Sequence, residues 1–165
     1  MGGSWPEQLL IDRRALTLLE AIVRAAHPRE GCALLIGSGP SGMGLADRGW
    51  LVCTVWPCLN VWEPEQERHR RFALDPREHL QAQKWARSRG LAVIGAAHSH
   101  PASAAVPSAL DLELAVPPTV LLIASGLHHE LRGWWLTEAG GGTEVQPLPL
   151  LLASDGEARP GCLGD

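Results

Sequence analysis

The sequence predicts an α/β fold: a mixed, largely antiparallel sheet flanked by helices. Three observations predict it. Short continuous apolar runs at 32–36, 91–97 and 120–124 have the length and composition of buried strands. Two segments, 12–27 and 76–90, carry the spacing and end signals of helices. Strands and helices alternate without a regular βαβ period, which argues against an all-parallel sheet.

Asp12 precedes a stretch in which Leu18, Leu19, Ile22, Ala25 and Ala26 recur at helical spacing, and His27-Pro28 closes it because proline disfavours helix in the residue before it. The run 32–36 ends at Gly37 and a Gly/Ser/Pro-rich stretch, so it reads as a buried strand entering a flexible loop, with a partner strand at 50–55. Residues 57–71 are polar and contain Pro64, which predicts a surface loop; 71–74 is expected to form a further strand. Pro76 fits the first turn of a helix that Gly90 terminates. The central strand 91–97 runs directly into His98-Ser99-His100-Pro101. Ser108 is a candidate N-cap for a short helix over 109–116, and strands at 120–124, 131–136 and around Val145 complete the set. The pattern predicts a single domain over 1–152 and a disordered tail over 153–165.

At 165 residues and 45% apolar, the chain suits one compact domain with a substantial core. Its net charge of −4 and lack of a basic block exclude the phosphate-neutralising surface of a nucleic-acid binder. No apolar run approaches the ~20 residues of a membrane span, and the N-terminus lacks the features of a secretory signal, so no membrane association and a cytoplasmic location are expected. The four cysteines show no CxxC pair, so neither a disulfide framework nor a thiolate metal site is expected, and Cys32 and Cys53 read as inert core thiols. Most of the seven tryptophans read as core filler; Trp56 and Trp62, which flank Asn60, are assigned to core packing over a groove.

In an extended segment side chains alternate between faces, so His98 and His100 point the same way and Ser99 points opposite. Two imidazoles therefore converge. Asp111 is the candidate third ligand: with Ser108 capping the helix, its carboxylate sits in the first turn, where the helix dipole favours it. A catalytic zinc takes three such protein ligands and leaves one position open. Hydrolysis of an amide also needs a general base. On residue type alone Glu30, Glu63, Glu65, Glu67, Glu78 and Glu113 are all candidates, although Glu30 stands at the mouth of a buried strand, where burial raises a carboxyl pKa.

An HxH pair alone is weak, but the set His98-Ser99-His100, seven residues, Ser108, two residues, Asp111 resembles the HxHx7Sx2D pattern of the JAMM (MPN+) metallopeptidases. Residues 27–37 resemble the prokaryotic stand-alone type's segment bearing the catalytic glutamate, and Asn60, Phe72 and Gly95 fall where that family's Asn, Phe and pre-motif Gly are expected. The likeness covers roughly residues 10 to 140 and implies a sandwich of the MPN, cytidine-deaminase-like kind. It further implies that His98, His100 and Asp111 bind Zn2+, that Glu30 is the base, that Ser108 donates to the oxyanion and that Ser99 supports the ligands from behind. The implied substrate is the amide after the C-terminal Gly-Gly of a ubiquitin-like or sulfur-carrier protein related to ThiS and MoaD; a homodimer is possible. One departure is the loop after Pro101, where Ser103 is the only polar side chain and the charged residues frequent in relatives are missing.

Two other functions are weighed beside this one: a catalytically silent scaffold of the same fold, and a metal-dependent hydrolase of a small-molecule amide. His128-His129 reads as an exposed turn, because adjacent side chains of a strand diverge. His69 and His79 read as solvated surface groups, and Glu63, Glu65 and Glu67 as a solvated loop.

Overall fold

The structure, a computed structural model, describes residues 6–39, 50–154 and 162. Most of the loop expected after residue 38 and most of the tail expected from 153 onward lie outside the described residues.

Strands β1 (Leu9–Ile11), β2 (Cys32–Ser38), β3 (Trp50–Cys58), β4 (Ala92–His100), β5 (Thr119–Ser125), β6 (Glu130–Ala139), β7 (Gly142–Leu148) and β8 (Leu150–Leu152) form one sheet in the order β7-β6-β5-β4-β2-β3-β1-β8. It is mixed as expected. The long pairings β2 with β3, β2 with β4, β5 with β6 and β6 with β7 are antiparallel, while β4 with β5 and β1 with its two neighbours are parallel.

Helix α1 (Arg13–Ala26) begins at Asp12, whose carboxylate accepts the Arg14 amide at 2.8 Å. It lays Ala15 and Leu19 on one face of the sheet, against Ala33, Leu35, Val52 and Ala97. Helix α2 (Pro76–Arg87) covers the other face, where Ala82 and Ala86 meet Leu34, Ile36, Leu51 and Cys53. Alternate residues of β2 thus bury into opposite layers, which explains why its sequence is continuously apolar rather than alternating. A third cluster, Leu121, Ile123, Trp134 and Leu136, packs under α3 (Ala109–Leu114).

Gly90, at φ +69°, ends the α2 region as expected. Gly95 has a different reason: a Cβ there would lie 2.0 Å from the Val120 carbonyl oxygen, so only glycine lets β4 approach β5 at this point.

Several expectations need correction. The segment 71–74 is not a strand, because its backbone bonds go elsewhere: Ala73 N–H donates to the Asn60 side chain at 3.2 Å and its carbonyl accepts from Val61 at 3.0 Å. β3 continues to Cys58, so the loop starts later than expected and contains a short 3-10 turn at Glu65–Glu67. Cys53 is not a free thiol. It is joined to Cys162 across 109 residues of sequence, with Cα atoms 4.9 Å apart, a distance within the usual range for a disulfide. Cys32 is a buried free thiol as expected. Among the described residues no helix is long and apolar enough to cross a membrane.

Candidate metal centre

The histidine pair closes β4. His98 and His100 lie on one face of its last turn of pleat, 1% and 6% exposed. Their Nε2 atoms are 3.0 Å apart, and Asp111 meets both: Oδ1 lies 3.2 Å from His98 Nε2 and Oδ2 3.3 Å from His100 Nε2. Asp111 holds that position through a reciprocal cap at the start of α3. Its amide donates to Ser108 Oγ at 3.1 Å, and its Oδ2 accepts the Ser108 amide at 2.7 Å.

The donor set fits a metal ion on three grounds. A tetrahedral ion with bonds of about 2.0 to 2.1 Å spaces its donors about 3.3 Å apart, close to the three separations found. His100 Nδ1 lies 2.8 Å from the Ala104 carbonyl, an arrangement that puts the ring proton on Nδ1 and leaves the Nε2 lone pair facing the cluster. His98 Nδ1 is buried without a partner among the described groups, so the polar contacts of that ring run through Nε2. Burial holds His98 below the usual imidazole range despite the opposing Asp111 carboxylate. At His100 burial also disfavours charge, but hydrogen bonds to Asp111 and the Ala104 carbonyl outweigh it and raise the pKa. Burial would raise Asp111, yet hydrogen bonds from His100 and His98 hold it well below the usual carboxylate range. The cluster therefore favours positive charge at its centre. His98, His100 and Asp111 form a group able to hold a metal ion.

Glu30 stands between α1 and β2, 5% exposed. Because β2 runs antiparallel to β4 with Cys32 opposite His98, the entry to β2 lies beside the end of the histidine strand. Burial pushes the Glu30 carboxyl up to about 7, with His100 lowering and Asp111 raising it; both centres therefore act on it electrostatically. Ser99 faces away from the histidines, and its Oγ accepts the Gly31 amide at 2.8 Å. Phe72 stacks on the His98 ring at 4.3 Å between centroids.

Residues 12–137 match the family model of prokaryotic homologues of the JAB domain. The chain belongs to the Prok-JAB family. Solved structures share the fold. Protein DSY2949 from Desulfitobacterium hafniense superposes with a TM-score of 0.70 at 29% identity, covering 92% of this chain and 99% of that one. A protein from Salinibacter ruber gives 0.61 at 28% identity, covering 91% and 94%. AF2198, a JAB1/MPN domain protein from Archaeoglobus fulgidus, shares the fold at 22% identity with a TM-score of 0.50, covering 87% and 98%. No curated protein matches the chain.

In this Prok-JAB domain a cleft of about 500 Å³ opens beside Asp111 and Ser108. Phe72, Val93, Leu110, Leu114 and Val116 make it largely apolar, and Arg71 lies at its wall. His79 also lines it and is half-buried, contrary to the solvated position expected. The polar neighbours of His79 in sequence concealed this, because α2 turns only part of its surface to solvent. His69 and His128-His129 are exposed as expected. Trp56 and Trp62 are not among the cleft residues: Trp56 donates to Glu78 at 2.8 Å and packs on Trp85, and Trp62 sits under Arg71. The apolar loop after Pro101 supplies main-chain carbonyls: Ser103 accepts from Ser125, Ala104 faces His100, and Ala105 accepts from Trp134. No side-chain signal in the sequence announces a carbonyl of this kind.

Proposed function

We propose that this domain is a zinc-dependent peptidase or isopeptidase that hydrolyses the amide bond after the C-terminal Gly-Gly of a ubiquitin-like or sulfur-carrier protein. The observation that carries the reading is the convergence of three donors at tetrahedral spacing beside a buried carboxyl, Glu30, at the entry to the strand that pairs with the histidine strand.

Two neutral imidazole nitrogens and one carboxylate are a zinc ligand set that leaves a coordination position open. A bound zinc ion supplies Lewis acidity, lowering the pKa of a water in that position and polarising a carbonyl. The protein's own groups do the rest. Glu30, with its carboxyl near neutrality, takes the proton of the attacking water and returns it to the departing amine. Ser108 Oγ accepts from the Asp111 amide, which leaves its hydroxyl proton free to donate to the oxyanion. The Ala104 carbonyl keeps His100 in one tautomer. The apolar cleft that ends at Ser108 and Asp111 suits an extended, uncharged tail.

The size of the cleft also favours a second reading, hydrolysis of a small-molecule amide, since ligands of that class fill cavities of about 300 to 1,000 Å³. A substrate panel separates the two. Metal-loaded protein is incubated with carrier proteins extended beyond Gly-Gly and with short acyl amides, and products are read by mass spectrometry. Cleavage confined to the bond after Gly-Gly supports the proposal. Cleavage of the short amides alone replaces it with the second reading.

A further inference from the structure

Glu30 lies in irregular backbone, so neither of its main-chain polar groups has a helix or strand partner by default. Its amide donates to the Arg68 carbonyl at 2.7 Å, and its carbonyl accepts from Asn60 Nδ2 at 3.1 Å. Asn60 reaches further. The same Nδ2 faces the carbonyls of Arg71 at 2.8 Å and Arg68 at 3.4 Å, while Oδ1 accepts the amides of Trp62 at 3.1 Å and Ala73 at 3.2 Å. Every partner on the nitrogen side is an acceptor and every partner on the oxygen side is a donor, so the orientation of the carboxamide is fixed by its surroundings.

One side chain therefore ties together three things: the backbone of Glu30, the loop 62–71, and the segment that carries Phe72 onto the His98 ring and into the cleft wall. Ion pairs around the loop are not equivalent anchors. Arg29–Glu65 joins two solvent-exposed side chains, and such pairs contribute little to holding a geometry, while the contacts of Arg68 with Glu63 and the Trp62 carbonyl and of Arg70 with Glu67 stay within the loop 62–71.

We propose that Asn60 is a positioning residue for the hydrolysis, setting the carboxyl of Glu30 against the metal centre and the Phe72 wall against the cleft. The inference rests on the function proposed above for Glu30, and adds that its position is controlled from Asn60. The residue touches neither the three ligands nor the cleft centre, so its removal separates metal binding from turnover.

The test uses the full chain loaded with zinc, and loaded with cobalt for its visible spectrum. Asn60→Ala and Asn60→Asp both remove the donor to the three carbonyls, and Asn60→Asp keeps the shape. Both variants are expected to retain wild-type metal content and an unchanged cobalt spectrum. Their kcat falls about 10- to 100-fold, the range typical of groups that orient a centre from behind, and the acid limb of the kcat profile moves as Glu30 loses its enclosure. A purely structural role would reduce the yield of folded enzyme and leave that limb in place. Amide hydrogen exchange supplies a readout independent of activity: the Glu30, Trp62 and Ala73 amides exchange faster in the variants while β4 and β5 amides keep their protection. Wild-type kcat and pH profile in either folded, metal-loaded variant overturn the proposal, as does unchanged exchange at Glu30. If wild-type protein cleaves no Gly-Gly-linked amide, the proposed function fails, and the exchange experiment still decides whether Asn60 holds the Glu30 backbone in place.

Discussion

Ser99 and Gly31 bond to each other twice: the Gly31 amide donates to Ser99 Oγ at 2.8 Å, and the Ser99 amide donates to the Gly31 carbonyl at 3.0 Å. The residue between the two histidines thus fastens the chain directly after Glu30 to the metal-ligand strand. Ser99→Ala leaves a buried amide without its acceptor, which costs about 1 to 3 kcal/mol. Chemical denaturation should report that loss, and kcat should fall with metal content unchanged.

Metal binding should appear as stabilisation. An ion that binds only the folded state raises stability by about 2.7 kcal/mol at a hundredfold excess over Kd. Thermal melts with added Zn2+ are expected to shift upward for the wild type and to stay fixed for His98→Ala and Asp111→Asn. Chelator should reverse the wild-type shift.

The metal-free protein should show a pH signature of Glu30. Its folded pKa of about 7 exceeds the ordinary 4.5, so between those values the folded state binds more protons than the unfolded state. By linkage this contribution is fully present below pH 4.5 and is lost as pH rises through 7, by an amount on the order of 3 kcal/mol. His98, whose pKa is lowered, acts in the opposite direction. The difference between wild type and Glu30→Gln isolates the first effect: Glu30→Gln gains stability relative to wild type as pH rises from 5 to 8. Urea unfolding across that interval measures it, and parallel curves for the two proteins would remove Glu30 from its buried site.

The Cys53–Cys162 bond closes a loop spanning 109 residues of sequence. In the chain-entropy model a loop near that length is worth about 4 to 5 kcal/mol, and measured values of about 2 to 4 are usual. Cys162→Ser, or treatment with a reductant, is expected to lower the denaturation midpoint, while non-reducing mass analysis of the wild type shows two hydrogens fewer than the reduced chain.

The parts of this molecule that were legible in the sequence are those set by local rules. The helix start after Asp12, the cap at Ser108, the stop at Gly90 and the shared face of His98 and His100 need only neighbouring residues, and each occurs as read. The buried strands β2, β4 and β5 were visible because burial on both faces makes an apolar run continuous. β1 and β8 were missed, since three residues are too few to display a period. Glu30 could not be chosen from six glutamates on residue type: its place depends on β2 pairing with β4, a contact across more than sixty residues, and only the resemblance to a known motif selected it. The disulfide was hidden for the same reason, as nothing near Cys53 or Cys162 in sequence encodes their meeting. The segment 71–74 misled because Phe72 and Leu74 look like strand residues, whereas their burial serves the His98 ring and the cleft.

The most direct measurement compares wild type and Glu30→Gln at equal zinc content on a carrier protein extended beyond its Gly-Gly terminus. Both proteins should bind zinc, the wild type should release the extension, and Glu30→Gln should lose at least about a thousandfold in kcat, as expected when a base and its proton shuttle are removed together. Equal rates in the two proteins would mean that Glu30 does not act on the water at this centre.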